Sequence, residues 1–261
     1  MNHPIFVQVT GNEKTFFVTD INNDVYHMGD NLSKLYVITR SKAPGMQRIL
    51  VPRQTIADIC FDSKKCFFTS PDGSLYGWGD NTWFELNSTG NETKNSVVKL
   101  TYKIEESLPS QDNRDLQQIT STAKYAMVRT SNDCSLYLTS IGLYSIGNKT
   151  TGLLGYRPPA DVMIHPRKIE IAGLAAACKI VAVSISQHHV LAWSNTGKAY
   201  AWGYNYNGIL GIDNNRRRQD KLVVHPQPVK AIENTIVTSM EACDTCSFAI
   251  DFRGKLYYWG R

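Results

Sequence analysis

Three places in the sequence carry residue types and spacings that could do chemistry. In Gly142 to Gly155, GLYSIGNKTTGLLG, Gly142 and Gly147 stand five apart and are followed by Asn148, Lys149 and Thr150. A loop that cradles nucleotide phosphates needs its Lys directly after the second glycine, and it follows a buried parallel strand and opens a helix. Here Asn148 intervenes and no helical periodicity follows. Cys243-Asp-Thr-Cys246 pairs two thiols, but a structural zinc takes four ligands and no second pair at a matching spacing exists. His188-His189 could supply a base, yet no Ser or Cys in a strained elbow accompanies it. The expectation is a chain with no catalytic set, no metal and no cofactor, in which these residues are architecture.

The bulk composition agrees with an ordinary globular protein: 42% hydrophobic, 20% charged and 10% aromatic residues in 261. MNHPIFVQVTGNEKTFF lacks a basic segment followed by a long apolar one, and no uncharged run approaches a membrane span. The six cysteines (Cys60, Cys66, Cys134, Cys178, Cys243, Cys246) are too few for a disulfide scaffold. Reduced thiols and a cytoplasmic or nuclear location are therefore expected, and the sequons at Asn31, Asn87, Asn91 and Asn148 read as loop composition. A net charge of +5 is a mild basic excess, clustered only at Arg216, Arg217 and Arg218. Nucleic-acid modules concentrate more charge on one face than this.

The elements that must position these residues are legible as a repeat. DVYHMG, SLYGWG, GLYSIG, KAYAWG and KLYYWG end at Gly29, Gly79, Gly147, Gly203 and Gly260, with Tyr26, Tyr76, Tyr144, Tyr200 and Tyr257 each three residues earlier. Trp78, Trp202 and Trp259 directly precede their glycines. Ahead of each lies a Gly- or Asn-containing turn, then an alternating run (TFFVT, CFFTS, SLYLTS, VLAWS, SFAID), then another short apolar run. Such runs, rich in Val, Ile, Phe and Tyr and separated by turn residues, read as antiparallel strands joined by hairpins. A further strand, RILVPRQ, SVVKLTYKI, HPRKIEI or HPQPVKAI, is read as leading each of copies two to five, so copy one lacks it. The glycine-to-glycine intervals are 50, 68, 56 and 57 residues. A period near 50 with four strands per unit fits the blade of an all-β propeller, whose sheets are covered only by their neighbours.

The repeat also explains the phosphate-loop look-alike. GNKTTGLLG (147–155) and GYNYNGILG (203–211) carry glycines at the same three offsets, so both are copies of one structural corner. The Trp and Tyr of the Tyr-x-Trp-Gly strands are expected to pack between blades. Cys66 and Cys134, each thirteen residues before a terminal glycine, are assigned one shared packing position.

A turn glycine, then Leu-Tyr-x-Trp-Gly, then x-Asn-x-x-Gly-x-Leu-Gly, resembles the repeat of the regulator of chromosome condensation family, and GKAYAWGYNYNGILG (197–211) carries the pattern best. The resemblance spans nearly the whole chain and implies a β-propeller over 1–261. It also implies one of two functions. Family members serve as protein-recruiting modules, in ubiquitin ligases among others, or exchange guanine nucleotide on the small GTPase Ran while docking on chromatin. A protein-interaction module is the first reading and a Ran-type exchange factor the alternative, with a small GTPase or ubiquitin-pathway substrate as partner and chromatin or DNA as a third.

The sequence departs from that pattern at the corners after copies one and two, GDNLSKLYV and GDNTWFELN, which lose Gly-x-Leu-Gly and are expected to turn differently. An incomplete ring is favoured over a closed five-bladed one, because an unpaired sheet edge is an association hazard. Partner contacts are assigned to loops 82–87, 105–115 and 212–220, with Trp83, Glu105, Glu106, Asp112, Asp115, Arg216, Arg217 and Arg218 as candidates. The 105–115 segment lies in an insertion, and insertions emerge on a propeller face. In exchange-active family members a projecting hairpin works on the GTPase, which makes this insertion its counterpart by resemblance.

Overall fold

The computed structural model describes residues 6–11, 15–20, 24–29, 46–49, 56–86, 90–102, 123–131, 133–158, 165–212 and 221–261. Five antiparallel sheets follow one another along the chain. The first holds β1 (Phe6–Gly11), β2 (Thr15–Asp20), β3 (Val25–Gly29) and β4 (Met46–Ile49). The second holds β5 (Asp58–Phe61), β6 (Lys65–Thr69), β7 (Leu75–Gly79) and β8 (Lys94–Leu100). The third holds β9 (Tyr125–Ser131), β10 (Cys134–Thr139), β11 (Gly142–Gly147) and β12 (Arg167–Lys168). The fourth holds β13 (Ile180–Ile185), β14 (His189–Ser194), β15 (Ala199–Tyr204) and β16 (Leu222–Pro228). The fifth has three strands among the described residues, β17 (Val237–Ala242), β18 (Cys246–Asp251) and β19 (Leu256–Gly260). This is the all-β propeller architecture. No helix among the described residues is long and apolar enough to cross a membrane.

The outer strands correct one expectation. β4, β8, β12 and β16 do not lead the copies that follow them; they pair with β3, β7, β11 and β15 of the copy before. A repeat read along a sequence has no marked start, so a strand lying between two Tyr-x-Trp-Gly segments can pair backward or forward. Hydrogen bonding makes it backward. Copy one therefore has a full sheet, and the three-stranded sheet is the last.

Four apolar clusters occupy the four junctions between successive sheets. Phe17, Val25, Cys66, Phe68 and Trp78 fill the first junction, and Phe67, Leu86, Val128, Tyr137 and Ile146 the second. Cys134, Leu136, Leu153, Val190 and Trp202 fill the third, and Leu191, Trp193, Leu210, Met240 and Ala249 the fourth. Successive residues of a strand point to opposite faces. Phe67 thus serves one junction while Cys66 and Phe68 serve the other, and β6, β10 and β14 are buried along their whole length. β18 buries only alternate residues, Ser247, Ala249 and Asp251, because the described residues cover one of its faces.

Each blade-ending glycine is required by a close cross-strand approach. Gly79, Gly147 and Gly203 have φ of +113°, +140° and +114°, and an added Cβ would lie 2.4, 2.2 and 2.4 Å from the carbonyl oxygens of Lys64, Asp133 and His188. Opposite these glycines stand Lys65, Cys134 and His189, and opposite Gly260 stands Cys246. The third hairpin is one residue shorter, which moves Cys134 rather than Asp133 into this position. Cys66 faces Trp78 instead. The two cysteines are both buried but are not repeat equivalents, which corrects the shared position assigned from spacing.

The corner after β7 also differs from expectation. Leu86 N donates to Asn81 Oδ1 at 2.7 Å, as Leu210 N donates to Asn205 Oδ1 at 3.0 Å. Phe84 takes φ +61° where Gly152 and Gly208 have +69° and +77°. The corner without Gly-x-Leu-Gly therefore makes the same turn, with Phe84 bearing a left-handed conformation that an L side chain adopts at a cost. The corner after β3 lies outside the described residues.

Candidate functional site

The antiparallel order gives the propeller two unlike ends. At one end lie the β5–β6, β9–β10, β13–β14 and β17–β18 turns together with the corners after β7, β11 and β15. At the other lie the β6–β7, β10–β11, β14–β15 and β18–β19 turns and the connections into the next sheet. Trp83 is half-buried in the corner after β7, at the first end. Ile212 and Lys221 bracket residues 213–220 at that same end, where Asn205 N donates to Lys221 O. The residues flanking 103–122 belong to the opposite end: β8 finishes beside Leu75, Tyr125 N donates to Gly73 O, and Ser140 N donates to Lys124 O. Glu105, Glu106, Asp112, Asp115, Arg216, Arg217 and Arg218 lie outside the described residues.

Exposed aromatic groups gather at the first end of the fourth blade. Tyr204 and Tyr206 stack with centroids 5.4 Å apart, and His188 meets Tyr206 edge-on at 5.2 Å. Tyr206 is 42% exposed, so the set is supported from one side and open on the other.

The three chemical candidates are structural. Gly142–Gly147 is β11, paired residue by residue with β10, and Asn148 caps a single 3-10 turn over Lys149–Thr151 by accepting from Thr150 N at 2.9 Å. Backbone amides engaged in a sheet cannot cradle phosphate. Cys243 N donates to Cys246 O at 2.9 Å, so the Cys-x-x-Cys segment closes the β17–β18 hairpin.

His189 is fully buried and spans two blades. Its Nδ1 lies 2.9 Å from Ser186 Oγ and its Nε2 2.7 Å from Ser247 Oγ, and Ser247 Oγ in turn donates to Ile209 O at 2.7 Å. With the Ser247 proton committed to that carbonyl, Nε2–H donates to Ser247 and Nδ1 accepts from Ser186. With Nε2 protonated the imidazole cannot serve as a base toward Ser247, which is itself fully buried. Burial, and then the neighbouring His188, lowers the His189 pKa to about 4 from 6.5. Between those values the unfolded chain takes up a proton that folded His189 refuses, so this stability is present above pH 6.5 and is lost toward pH 4. The stability advantage of the parent over His189→Gln should shrink by about 3 kcal/mol between pH 7 and pH 4. Urea unfolding of both proteins at the two pH values reads that change.

Between the second and third blades the same position holds charge. Lys65 Nζ lies 2.9 Å from Glu85 Oε2 and 3.2 Å from Asp62 Oδ2, with Lys65 and Glu85 each 1% exposed. Ser135, one residue past Cys134 as Ser247 is past Cys246, donates to Glu85 Oε1 at 2.7 Å. Burial raises the Glu85 pKa to about 7, opposed by the Lys65 ammonium, while Glu85 and Asp62 hold Lys65 protonated against its own burial. Asp62 is also fixed by the amides of Lys64 and Lys65 and by Thr130 Oγ1. Glu85 occupies the corner position of Leu153 and Ile209, and the carbonyl there is a common acceptor. Trp202 Nε1 donates to Leu153 O and Trp259 Nε1 to Ile209 O, both at 2.8 Å. In the third blade Ile146 replaces the Trp, and the hydroxyls of Tyr102 and Tyr137 donate to Glu85 O instead.

A glycine-closed third strand and an Asn-held corner whose carbonyl accepts the next blade's indole recur from blade to blade. A family model described as the regulator of chromosome condensation (RCC1) repeat matches residues 196–250, which hold the Gly203-closed strand β15 and the Asn205-held corner after it. Residues 196–250 form an RCC1 repeat. Protein pim1 of Schizosaccharomyces pombe is 26% identical over 208 residues, which is 78% of this chain and 36% of that protein. The solved structure of human WBSCR16 superposes with a TM-score of 0.73 at 17% identity, covering 98% of this chain and 61% of that one. Prp20p from Saccharomyces cerevisiae superposes with a TM-score of 0.72 at 18% identity, covering 98% of this chain and 57% of that one. The chain thus spans less than two thirds of the length of each of these proteins.

From the sequence the glycines, Tyr and Trp of the blades are located, but Lys65, Glu85, Ser135 and Ser247 are not. A signal was present. Aligning GDNTWFELN with GYNYNGILG puts Glu85 on Ile209, and aligning the middle strands puts Lys65 on His189, opposite charges at two normally uncharged positions.

Proposed function

We propose that this RCC1-repeat chain is a non-enzymatic module that binds a partner protein through the end of the propeller bearing the β13–β14 turn and the corners after β7 and β15. The carrying observation is the His188–Tyr204–Tyr206 set, exposed at Tyr206 and half-buried at the other two, beside the buried strands β14 and β15 of the fourth blade. Rigidly supported aromatic side chains supply contact area with little loss of side-chain freedom and dominate interface energetics. A photo-crosslinking residue placed at 206 is expected to capture a protein that the same residue at 253, on the other end, does not. Equal capture at both positions would remove this reading. Once that protein is in hand, Tyr206→Ala is expected to weaken its binding about tenfold.

Guanine-nucleotide exchange is the second reading, supported by the likeness to Prp20p, whose solved structure is described together with its binding to Gsp1p and histones. Under that reading, substoichiometric protein accelerates release of labelled GDP from a small GTPase, and deletion of 105–115 abolishes it. Chromatin binding is a third and predicts affinity that falls steeply with salt. The working location under all three is cytoplasm or nucleus.

A further inference from the structure

We propose that the cleft between the corner after β15 and the start of β16 binds a phosphorylated segment of a partner protein. The cleft has a volume of about 370 Å³ and is lined by Arg157, Asn205, Ile212, Lys221, Val223 and His225, among others, with no carboxylate among its described lining residues. Arg157 and Lys221 make no ion pair among the described residues. Two cations left without counter-charge around one cavity favour an anion in it.

Asn205 points to a ligand independently of that charge. It is 4% exposed, and its Oδ1 accepts from Leu210 N at 3.0 Å, which fixes the amide orientation and makes Nδ2 the remaining donor. Nδ2 has no hydrogen-bond partner among the described residues, whereas the matching Asn81 Nδ2 donates to Gly90 O. Asn205 lines the cleft, so an anion there can accept from its free Nδ2 donor. A phosphomonoester carries about −1.5 to −2 charge at neutral pH and offers three acceptor oxygens, matching two cations and a fixed neutral donor.

The rest of the lining selects the carrier. Ile212, Leu222, Val223 and Val224 form an apolar wall beside the basic groups, which suits apolar side chains flanking a phosphorylated residue. No Phe, Tyr or Trp is among the described lining residues, so nucleic-acid bases find no broad stacking platform among them. A phosphopeptide fits better than an oligonucleotide.

The proposal rests on the reading of this end as the partner surface, and the two can fail separately. The test titrates the 15N-labelled full chain with a phosphoserine-centred peptide mixture having randomised flanks, and with its unphosphorylated serine counterpart. Shifts of the Asn205 side-chain amide and the Lys221 backbone amide are expected with the phosphorylated mixture alone. Arg157→Ala and Lys221→Ala, both at exposed positions, should each weaken binding about tenfold with an unchanged unfolding midpoint. Equal shifts from the serine mixture, no shift at Asn205, or phosphopeptide affinity retained in the double variant would overturn the proposal. Tighter binding of a single-stranded oligonucleotide would overturn the choice of ligand. An unphosphorylated partner captured from position 206 would sink the cleft and leave the interaction surface standing.

Discussion

Glu85→Ala is expected to lose about 3–5 kcal/mol of stability at pH 8, because it takes the nearer carboxylate from the buried Lys65 ammonium and one of the two acceptors from Ser135. The loss belongs to breaking the pair, not to the presence of charge in the core. Replacing both members with apolar residues of similar volume, Lys65→Met with Glu85→Leu, is expected to return stability to within about 1 kcal/mol of the parent. Asp62 keeps the Lys64 and Lys65 amides and Thr130 Oγ1 as donors in that variant. Guanidinium unfolding of the three proteins at one pH decides the matter. A double variant as unstable as Glu85→Ala would mean that the charges themselves, and not merely the intact packing, stabilise the junction between the second and third blades.

Trp202→Ala should cost about 3–5 kcal/mol through the cavity it leaves in the third junction. The indole is fully buried among Cys134, Leu136, Leu153 and Val190, and its Nε1 satisfies the Leu153 carbonyl. Trp202→Phe keeps part of the volume but orphans that carbonyl, so an intermediate loss of about 1–3 kcal/mol is expected. Trp259→Ala should cost less, since Trp259 is only partly buried where the fifth sheet is covered on one side. Thermal unfolding of the three variants checks the order. Equal losses at 202 and 259 would contradict the one-sided packing of the last sheet.

The Trp202 result turns on a design in which the corner carbonyls of Glu85, Leu153 and Ile209 each receive a donor from the next blade. How much of this was legible in the sequence follows from which residues have only one physical use. Gly79, Gly147 and Gly203 were readable because a Cβ at those positions would strike the neighbouring strand, so the spacing could not drift. Tyr257 was readable for a similar reason, its hydroxyl reaching Asp251 Oδ2 at the hairpin entry. The phase of the blade was not readable, because β8 or β16 as a bare sequence carries no mark of which neighbour it pairs with. Nor was the corner at Phe84, where packing and the Asn81 anchor overrule the preference for glycine at positive φ. Glu85 and Lys65 went unseen because each looks like a surface charge until the two are aligned on their repeat positions. That the residues flanking 103–122 lie at the opposite end from Trp83 and from the residues flanking 213–220 followed only once strand direction was known, so the candidate loops could not be sorted by end from sequence.

The measurement that bears most directly on function is release of fluorescent GDP from a panel of small GTPases, Ran included, in the presence of substoichiometric protein. The account of a non-enzymatic binding module predicts release no faster than the intrinsic rate for every GTPase in the panel. Acceleration that grows with protein concentration, and that disappears on deletion of 105–115, would contradict it and establish the exchange-factor reading in its place.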